Sequence, residues 1–266
     1  MRKLSNKPII LKLGGSVITH KEKPLTINRE AVRRLAHEIS HAKVSPLIIV
    51  HGGGSFGHPI AKAYKINKGF KNSSQIIGFS KTHQAMTKLN KIVIDALIRH
   101  NIPAVAVQPS SFIITKSDRI KTVDNRVIKK LVETGFTPVL YGDAVLDMDK
   151  GFAILSGDQL VSSLATNLAA ERIIVGVDVD GLYTSDPKKD KTAKLIQHTT
   201  LQELKKMQHG VKRTTVTDVT GGMLGKISEL IPAVEAGIKV LIVNALKPDN
   251  VYKALKGQKV VGTLII

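Results

Sequence analysis

Short apolar runs that end in turns and alternate with stretches of helical periodicity constrain this chain most. Ile9 to Leu13 ends in Gly14-Gly15, and Pro46 to Val50 ends in His51-Gly52-Gly53-Gly54. Ala104 to Val107, Pro138 to Tyr141, Ile173 to Val177 and Val240 to Val243 are runs of the same kind. Between them, Asn28 to Ala42 sets Ala31, Leu35, Ile39 and Ala42 on one helical face. Pro59 to Tyr64, Phe79 to His100, Asp158 to Leu168 and Leu224 to Ala236 also read as helices, and Val251 to Leu255 and Val260 to Ile265 close the chain as a short helix and a strand. Strands that are apolar without alternation are buried on both faces, and the intervening helices cover them. The expected fold is therefore α/β, with a mostly parallel central sheet. The polar segments Lys65 to Ser74 and Pro187 to Lys194 read as loops. No repeat or linker divides the 266 residues, so one domain over 1–266 is expected.

Composition removes several function classes. There is no cysteine, which excludes disulfides, thiolate metal sites and a cysteine nucleophile. No apolar run approaches a membrane span, and the apolar run near the N-terminus is cut by Lys12 and Gly14-Gly15, so neither a span nor a signal peptide is expected. A cytoplasmic setting is the expectation. The formal charge of +19 favours anionic ligands. The lysines are spread along the chain and aromatics make up only 4%, too few for the stacking platforms of a single-strand binder, so no specific nucleic-acid partner is expected.

Three glycine-rich turns lie beside these elements: Lys12-Leu13-Gly14-Gly15-Ser16, Gly52-Gly53-Gly54-Ser55-Phe56-Gly57-His58, and Thr220-Gly221-Gly222-Met223-Leu224-Gly225-Lys226. Glycine lets backbone N–H groups converge on a ligand, and a helix N-terminus adds unpaired donors that favour anions. Together the three turns indicate phosphate binding. None matches the dinucleotide fingerprint or the Walker A loop, which disfavours an oxidoreductase or a P-loop NTPase.

Individual residues carry two readings each. Lys12 sits inside an apolar strand, where a buried ammonium needs an anionic partner; the alternative is an edge strand from which it snorkels into water. Lys226, near a helix start, opposes the helix dipole unless a phosphate binds there. Lys21 follows the first glycine turn in a polar loop and by itself reads as surface. His58 precedes Pro59, which suits the first position of a helix, so the imidazole would stand near a helix N-terminus or be merely structural. Asp158 either caps a helix or holds lysines in place. Asp178 and Asp180 follow a buried strand, at a ligand position or in an Asp-Gly turn.

Taken in order, LKLGGS at 11–16, HGGGSFGH at 51–58, SGD at 156–158, VDVDGLYTSDP at 177–187 and TDVTGGMLGK at 217–226 resemble the amino acid kinase superfamily across nearly the whole chain. GGSFGHP followed by IPAVAVQPSSF at 102–112 is similar to its isopentenyl phosphate kinase branch, with fosfomycin kinases sharing the histidine turn. The resemblance implies an open αβα sandwich, an acceptor lobe over about 1–160, a nucleotide lobe over about 161–266, and a homodimer. It implies ATP as phosphoryl donor, with Mg²⁺ carried on the ATP phosphates and no dedicated metal site in the protein. It assigns catalysis to Lys12, Lys21, His58, Asp158 and Lys226, with Asp158 orienting Lys12 and Lys226. ATP would meet Lys12, Leu13, Gly14, Gly15, Ser16, Gly54, Asp178, Tyr183, Asp186, Lys189, Gly222 and Lys226. The acceptor, isopentenyl phosphate, would meet Gly53, Gly54, His58 and Gly157, with Phe79 and Met86 as apolar wall. The competing expectations are a kinase for another phosphate monoester and a nucleotide-binding sensor without turnover.

Overall fold

A computed structural model describes residues 7–213 and 223–266. β1 (Ile9–Leu13) leads through a single turn, α1 (Gly15–Ile18), to α2 (Arg29–Ala42) and β2 (Leu47–His51). Then come α3 (Gly54–Ala63), the long α4 (Ser74–Arg99) and β3 (Ala104–Ala106). β4 (Ile113–Lys116) and β5 (Arg119–Val123) form a hairpin, followed by α5 (Arg126–Thr134) and β6 (Thr137–Tyr141). A second hairpin, β7 (Asp143–Asp147) and β8 (Gly151–Leu155), precedes α6 (Gly157–Asn167) and β9 (Arg172–Val177). The short strands β10 (Leu182–Tyr183), β11 (Leu195–Ile196) and β12 (His198–Thr199) lead to α7 (Leu201–Arg213) and α8 (Met223–Glu235). β13 (Lys239–Asn244), α9 (Asn250–Leu255) and β14 (Gly262–Ile265) complete the chain.

Eight strands form the main sheet in the order β12-β14-β13-β9-β1-β2-β6-β3. Its pairings are parallel except that between β13 and β14. β1 lies in the middle: the chain first moves to β2 on one side and later returns to β9 on the other. That reversal opens a crevice at the carboxyl ends of β1, β2 and β9, where ligands bind in open α/β sheets.

Alternation along β1 sends successive side chains to opposite layers. Ile10 packs with residues of α5, α6 and α8, including Ile128, Leu160 and Ile227. Leu11 and Leu13 pack with α2, α4 and α9, including Leu35, Leu89 and Val251. Each such side chain, buried from both sides, contributes roughly 1.5–3 kcal/mol. Among the described residues no helix is long and apolar enough to cross a membrane.

Several boundaries differ from the sequence expectation. Asn28 is the cap of α2, its side chain accepting from the Ala31 N–H, so the helix proper begins at Arg29. α3 starts at Gly54, which puts Pro59 inside the helix and His58 one turn in from its start. The ring nitrogen of Pro59 cannot donate to the Ser55 carbonyl, and that oxygen instead accepts from the Leu25 N–H at 2.9 Å. α4 starts at Ser74, ahead of the expected Phe79, and carries Gly78 where a Cβ would lie 2.3 Å from Tyr64. The glycine there serves close helix contact and does not mark a break.

The β4–β5 hairpin turns through Ser117 and Asp118, both at positive φ, the backbone of a tight primed turn. Asp147 organises this corner: its carboxylate accepts from the Thr115 hydroxyl at 2.8 Å and from the N–H groups of Asp118, Asp149 and Lys150 at 2.9–3.0 Å. Burial opposes its ionisation, but those donors bring its pKa down to about 2.

Candidate active site

β1 is paired on both edges, so Lys12 has no route along an edge to water. The residue is 3% exposed. Alternation places it on the same face as Ile10, toward α6. Ser156 caps that helix, its hydroxyl accepting from the Gln159 N–H at 3.0 Å. Asp158 is thereby released from capping, and its Oδ1 lies 2.5 Å from the Lys12 Nζ in a buried ion pair. Of the two readings of Lys12, the counter-charged one holds and the snorkelling one does not.

The first two glycine turns pack backbone against backbone. A Cβ on Gly15 would lie 2.3 Å from the Gly54 nitrogen, and Gly54 itself has φ +47°, a conformation glycine adopts without strain. The Gly52 N–H donates to the Leu13 carbonyl at 2.9 Å, while the Leu13 side chain faces the core. Thr19 ties the turns together, donating to the Gly15 carbonyl at 2.7 Å and accepting from the Ser55 N–H at 3.0 Å.

These turns floor a cleft of about 380 Å³ into which Lys12, Lys21, His58, Asp158 and Lys226 all reach, with Gly157 at its rim. Burial, then the charges of Lys226, Lys12 and Lys21, hold the His58 pKa below the ordinary imidazole value. The ring is therefore neutral near neutral pH and meets an anion as an N–H donor. Burial and then Lys12 also lower the Lys226 pKa, against the opposing pull of Asp158 and Asp178. Asp158 thus contacts Lys12 directly and acts on Lys226 only through its charge.

A second cleft of about 190 Å³ adjoins the first and shares Lys21 and Lys226 with it. Tyr183, Asp186 and Lys188 line it. Asp178 gathers three donors: the Ser16 hydroxyl at 3.0 Å, Lys188 at 2.7 Å and Lys21 at 3.3 Å. Burial opposes its ionisation, yet the Lys188 hydrogen bond and the Lys21 charge hold the carboxyl far below its usual range. Asp180 turns away, bonded to Asn244 at 3.0 Å and to Lys247 at 2.7 Å. Lys189, expected at the nucleotide, pairs with Asp186 at 3.8 Å and does not line the cleft, whereas its neighbour Lys188 does. The motif resemblance does not separate adjacent lysines in one loop. Gly222 lies outside the described residues.

The wall opposite the lysines is largely apolar, with Met86, Ala61, Ile154 and Leu155. Gly53 and Gly57 leave room for Met86, whose sulfur would lie 3.1 and 2.7 Å from a Cβ at those positions. Phe79 is not in the lining: it packs against Phe152, ring centroids 5.7 Å apart, in the cluster behind Ile154. Sequence reading missed Ile154 and also Asp143, a buried carboxylate in the lining that bonds the His83 Nδ1 at 2.8 Å. Both belong to the β7–β8 hairpin, although Phe152-Ala153-Ile154-Leu155 is an apolar run as long as others read as strands. Beneath the glycine turns, His51 is fully buried and its pKa is lowered to about 4 by burial, with its Nδ1 3.1 Å from the Gly52 carbonyl.

Three lysines, a neutral imidazole and two backbone cradles around a desolvated cleft suit a reaction in which negative charge moves between phosphate oxygens. Among the described residues no group of three or more His, Asp or Glu side chains comes together to hold a metal alone.

Comparison with known proteins agrees with this chemistry. Residues 7–244 match the profile of the Amino acid kinase family. The isopentenyl phosphate kinase of Methanothermobacter thermautotrophicus is 46% identical over 97% of this chain and 98% of its own. An isopentenyl phosphate kinase solved by X-ray crystallography superposes with a TM-score of 0.85 at 43% identity, covering 97% of this chain and 100% of that one. A crystal structure of an isopentenyl phosphate kinase substrate complex superposes with a TM-score of 0.81 at 28% identity, covering 98% and 100%.

Proposed function

This chain belongs to the amino acid kinase family, and from that premise we propose that it is an isopentenyl phosphate kinase, transferring the γ-phosphoryl group of ATP to isopentenyl phosphate. The observation that carries the reading is the convergence of Lys12, Lys21 and Lys226 on a glycine cradle that holds a neutral His58 and faces an apolar wall. An oxygen of the acceptor phosphate attacks the γ-phosphorus, the bond from that phosphorus to the β–γ bridging oxygen breaks, and ADP leaves. The nucleophile is already an oxyanion, so no strong base is required. Catalysis consists of alignment and charge neutralisation.

Lys12, fixed by Asp158, and Lys226 neutralise the ATP phosphates and the transferring group. Lys21 and Lys188 leave Asp178 for the incoming phosphates, and Ser16 with the Gly14 and Gly15 backbone completes that side. His58, with the Gly53 and Gly54 backbone, holds the acceptor phosphate, and Gly157 allows its close approach. Met86 and Ile154 cover the hydrocarbon tail. Tyr183 and Asp186 border the nucleotide, which enters as its magnesium complex. Mg²⁺ on the phosphates supplies further charge neutralisation. The same reading takes in two lobes meeting near residue 160 and a homodimer, both resting on the motif resemblance, and a cytoplasmic setting, resting on the composition.

A coupled ADP-release assay with Mg-ATP and a panel of acceptors tests it: isopentenyl phosphate, dimethylallyl phosphate, fosfomycin, glutamate, carbamate and UMP. Turnover confined to isopentenyl phosphate, or shared with its isomer, is expected. Turnover of another acceptor in its place would keep the family and discard the substrate.

A further inference from the structure

Lys226 is in an unfavourable place when no phosphate is bound. Burial and the charge of Lys12 act against its ammonium, while Asp158 and Asp178 draw it in, so its place in the cleft depends on how α8, which carries it, is held. Apolar contacts of Ile227 and Leu230 with the α6 layer seat the inner face of α8, and polar contacts on its outer face add a directional restraint that the non-directional hydrophobic effect does not supply. At the far end of α8, Glu235 pairs with Lys205 of α7 at 2.5 Å.

The end that carries Lys226 is held from elsewhere. Arg119, the residue after the β4–β5 turn, places its Nη1 at 2.7 and 2.8 Å from the two carboxylate oxygens of Glu229. Glu229 is three residues beyond Lys226, a spacing that makes the two neighbours on the helix surface. Arg119 is itself firmly mounted. Asp147 fixes the turn before it, and buried Gln159 accepts from the Ile120 N–H at 2.8 Å and donates to the Asp118 carbonyl at 3.0 Å. Gln159 follows Asp158 on α6. One short path therefore links the partner of Lys12 to the helix of Lys226.

We propose that Arg119 and Glu229 form a positioning latch that holds α8 so that the Lys226 ammonium stays beside Lys12 in the cleft. The proposal rests on the kinase reading for its effect on turnover, though not for its effect on α8. The pair is partly exposed, and exposed pairs add little to stability. Its contribution is geometric, and that separates it from a merely structural contact.

The test compares the wild-type full chain with Arg119→Ala, Glu229→Ala and the double reversal Arg119→Glu/Glu229→Arg. Misplacing a catalytic group by about an ångström costs up to roughly 100-fold, so each single variant is expected to lose about tenfold or more in kcat. The acceptor KM should stay within about twofold, and Tm should be nearly unchanged. The double reversal should recover most of the lost kcat. Amide hydrogen exchange across Met223–Glu235, measured without substrate, should quicken in both single variants and slow again in the double. Single variants with wild-type kcat, or with wild-type exchange in α8, overturn the latch, as does a double reversal that restores neither. Wild-type enzyme inactive on isopentenyl phosphate would sink the kinase reading instead, and the exchange pattern would still decide the latch.

Discussion

An ammonium inside a central strand is tolerated only beside a counter-charge, and Asp158 supplies it 2.5 Å from Lys12. Asp158→Asn would leave Lys12 buried and unpaired, which costs about 3–5 kcal/mol when one partner of a buried pair is removed. The variant is expected to lose stability on that scale in urea denaturation and to lose most of its kcat. A variant of wild-type stability and rate would show that Asp158 does not hold the lysine. His58 gives a pH signature. Its pKa is depressed in the ligand-free enzyme, and an anionic phosphate against the ring favours the protonated form, so binding raises that pKa. Proton uptake then accompanies acceptor binding in the window between the two values, and lower pH tightens binding through His58. The acceptor's own phosphate loses charge near pH 6, about the second pKa of a phosphate monoester, an opposing effect that His58→Gln reports alone. The ratio of acceptor KM in His58→Gln to that in wild type is therefore expected to grow as pH falls below neutrality. A ratio independent of pH would remove the imidazole from the acceptor site.

At the scale of elements, the strands of the main sheet's centre are the legible ones, while the buried β7–β8 hairpin is not. The runs at Ile9–Leu13 and Leu47–His51 are covered on both faces and were readable as strands from their apolar character alone. β5 has no fully buried residue, and its sequence Arg-Ile-Lys-Thr-Val offers neither strict alternation nor an apolar run, so the hairpin that carries Arg119 is not legible. α3 begins ahead of the start that Pro59, a residue favoured in a first turn, suggests. The lost intrahelical bond is replaced by a tertiary one from Leu25, which no local pattern encodes. Of the site, the glycine turns, Lys12, Lys226, His58 and Asp158 were legible as motif residues. Lys188 rather than Lys189 lines the second cleft, and Asp143 and Ile154 reach the first only through the fold of the second hairpin.

The molecule as a whole is a cation of formal charge +19. Self-repulsion of that size opposes compactness, and salt relieves it as the screening length falls from about 30 Å at 0.01 M to about 8 Å at 0.15 M. Tm is expected to rise with NaCl over that range, and tripolyphosphate at far lower concentration should raise it further by binding the folded cleft. Calorimetric scans check both, and a Tm indifferent to NaCl would mean the surface charges are too dispersed to matter. The contact between Gly15 and Gly54 has a last consequence, for how such an enzyme can change over generations. On the proposed reading the two substrates would share a single wall of backbone, with no room for a methyl group on either side. A substitution that reshapes the donor's turn displaces the acceptor's turn with it, so the cradles are inherited as one piece. New acceptors must therefore be won through the side chains opposite, at Met86 and Ile154, while the machinery of transfer stays as it is.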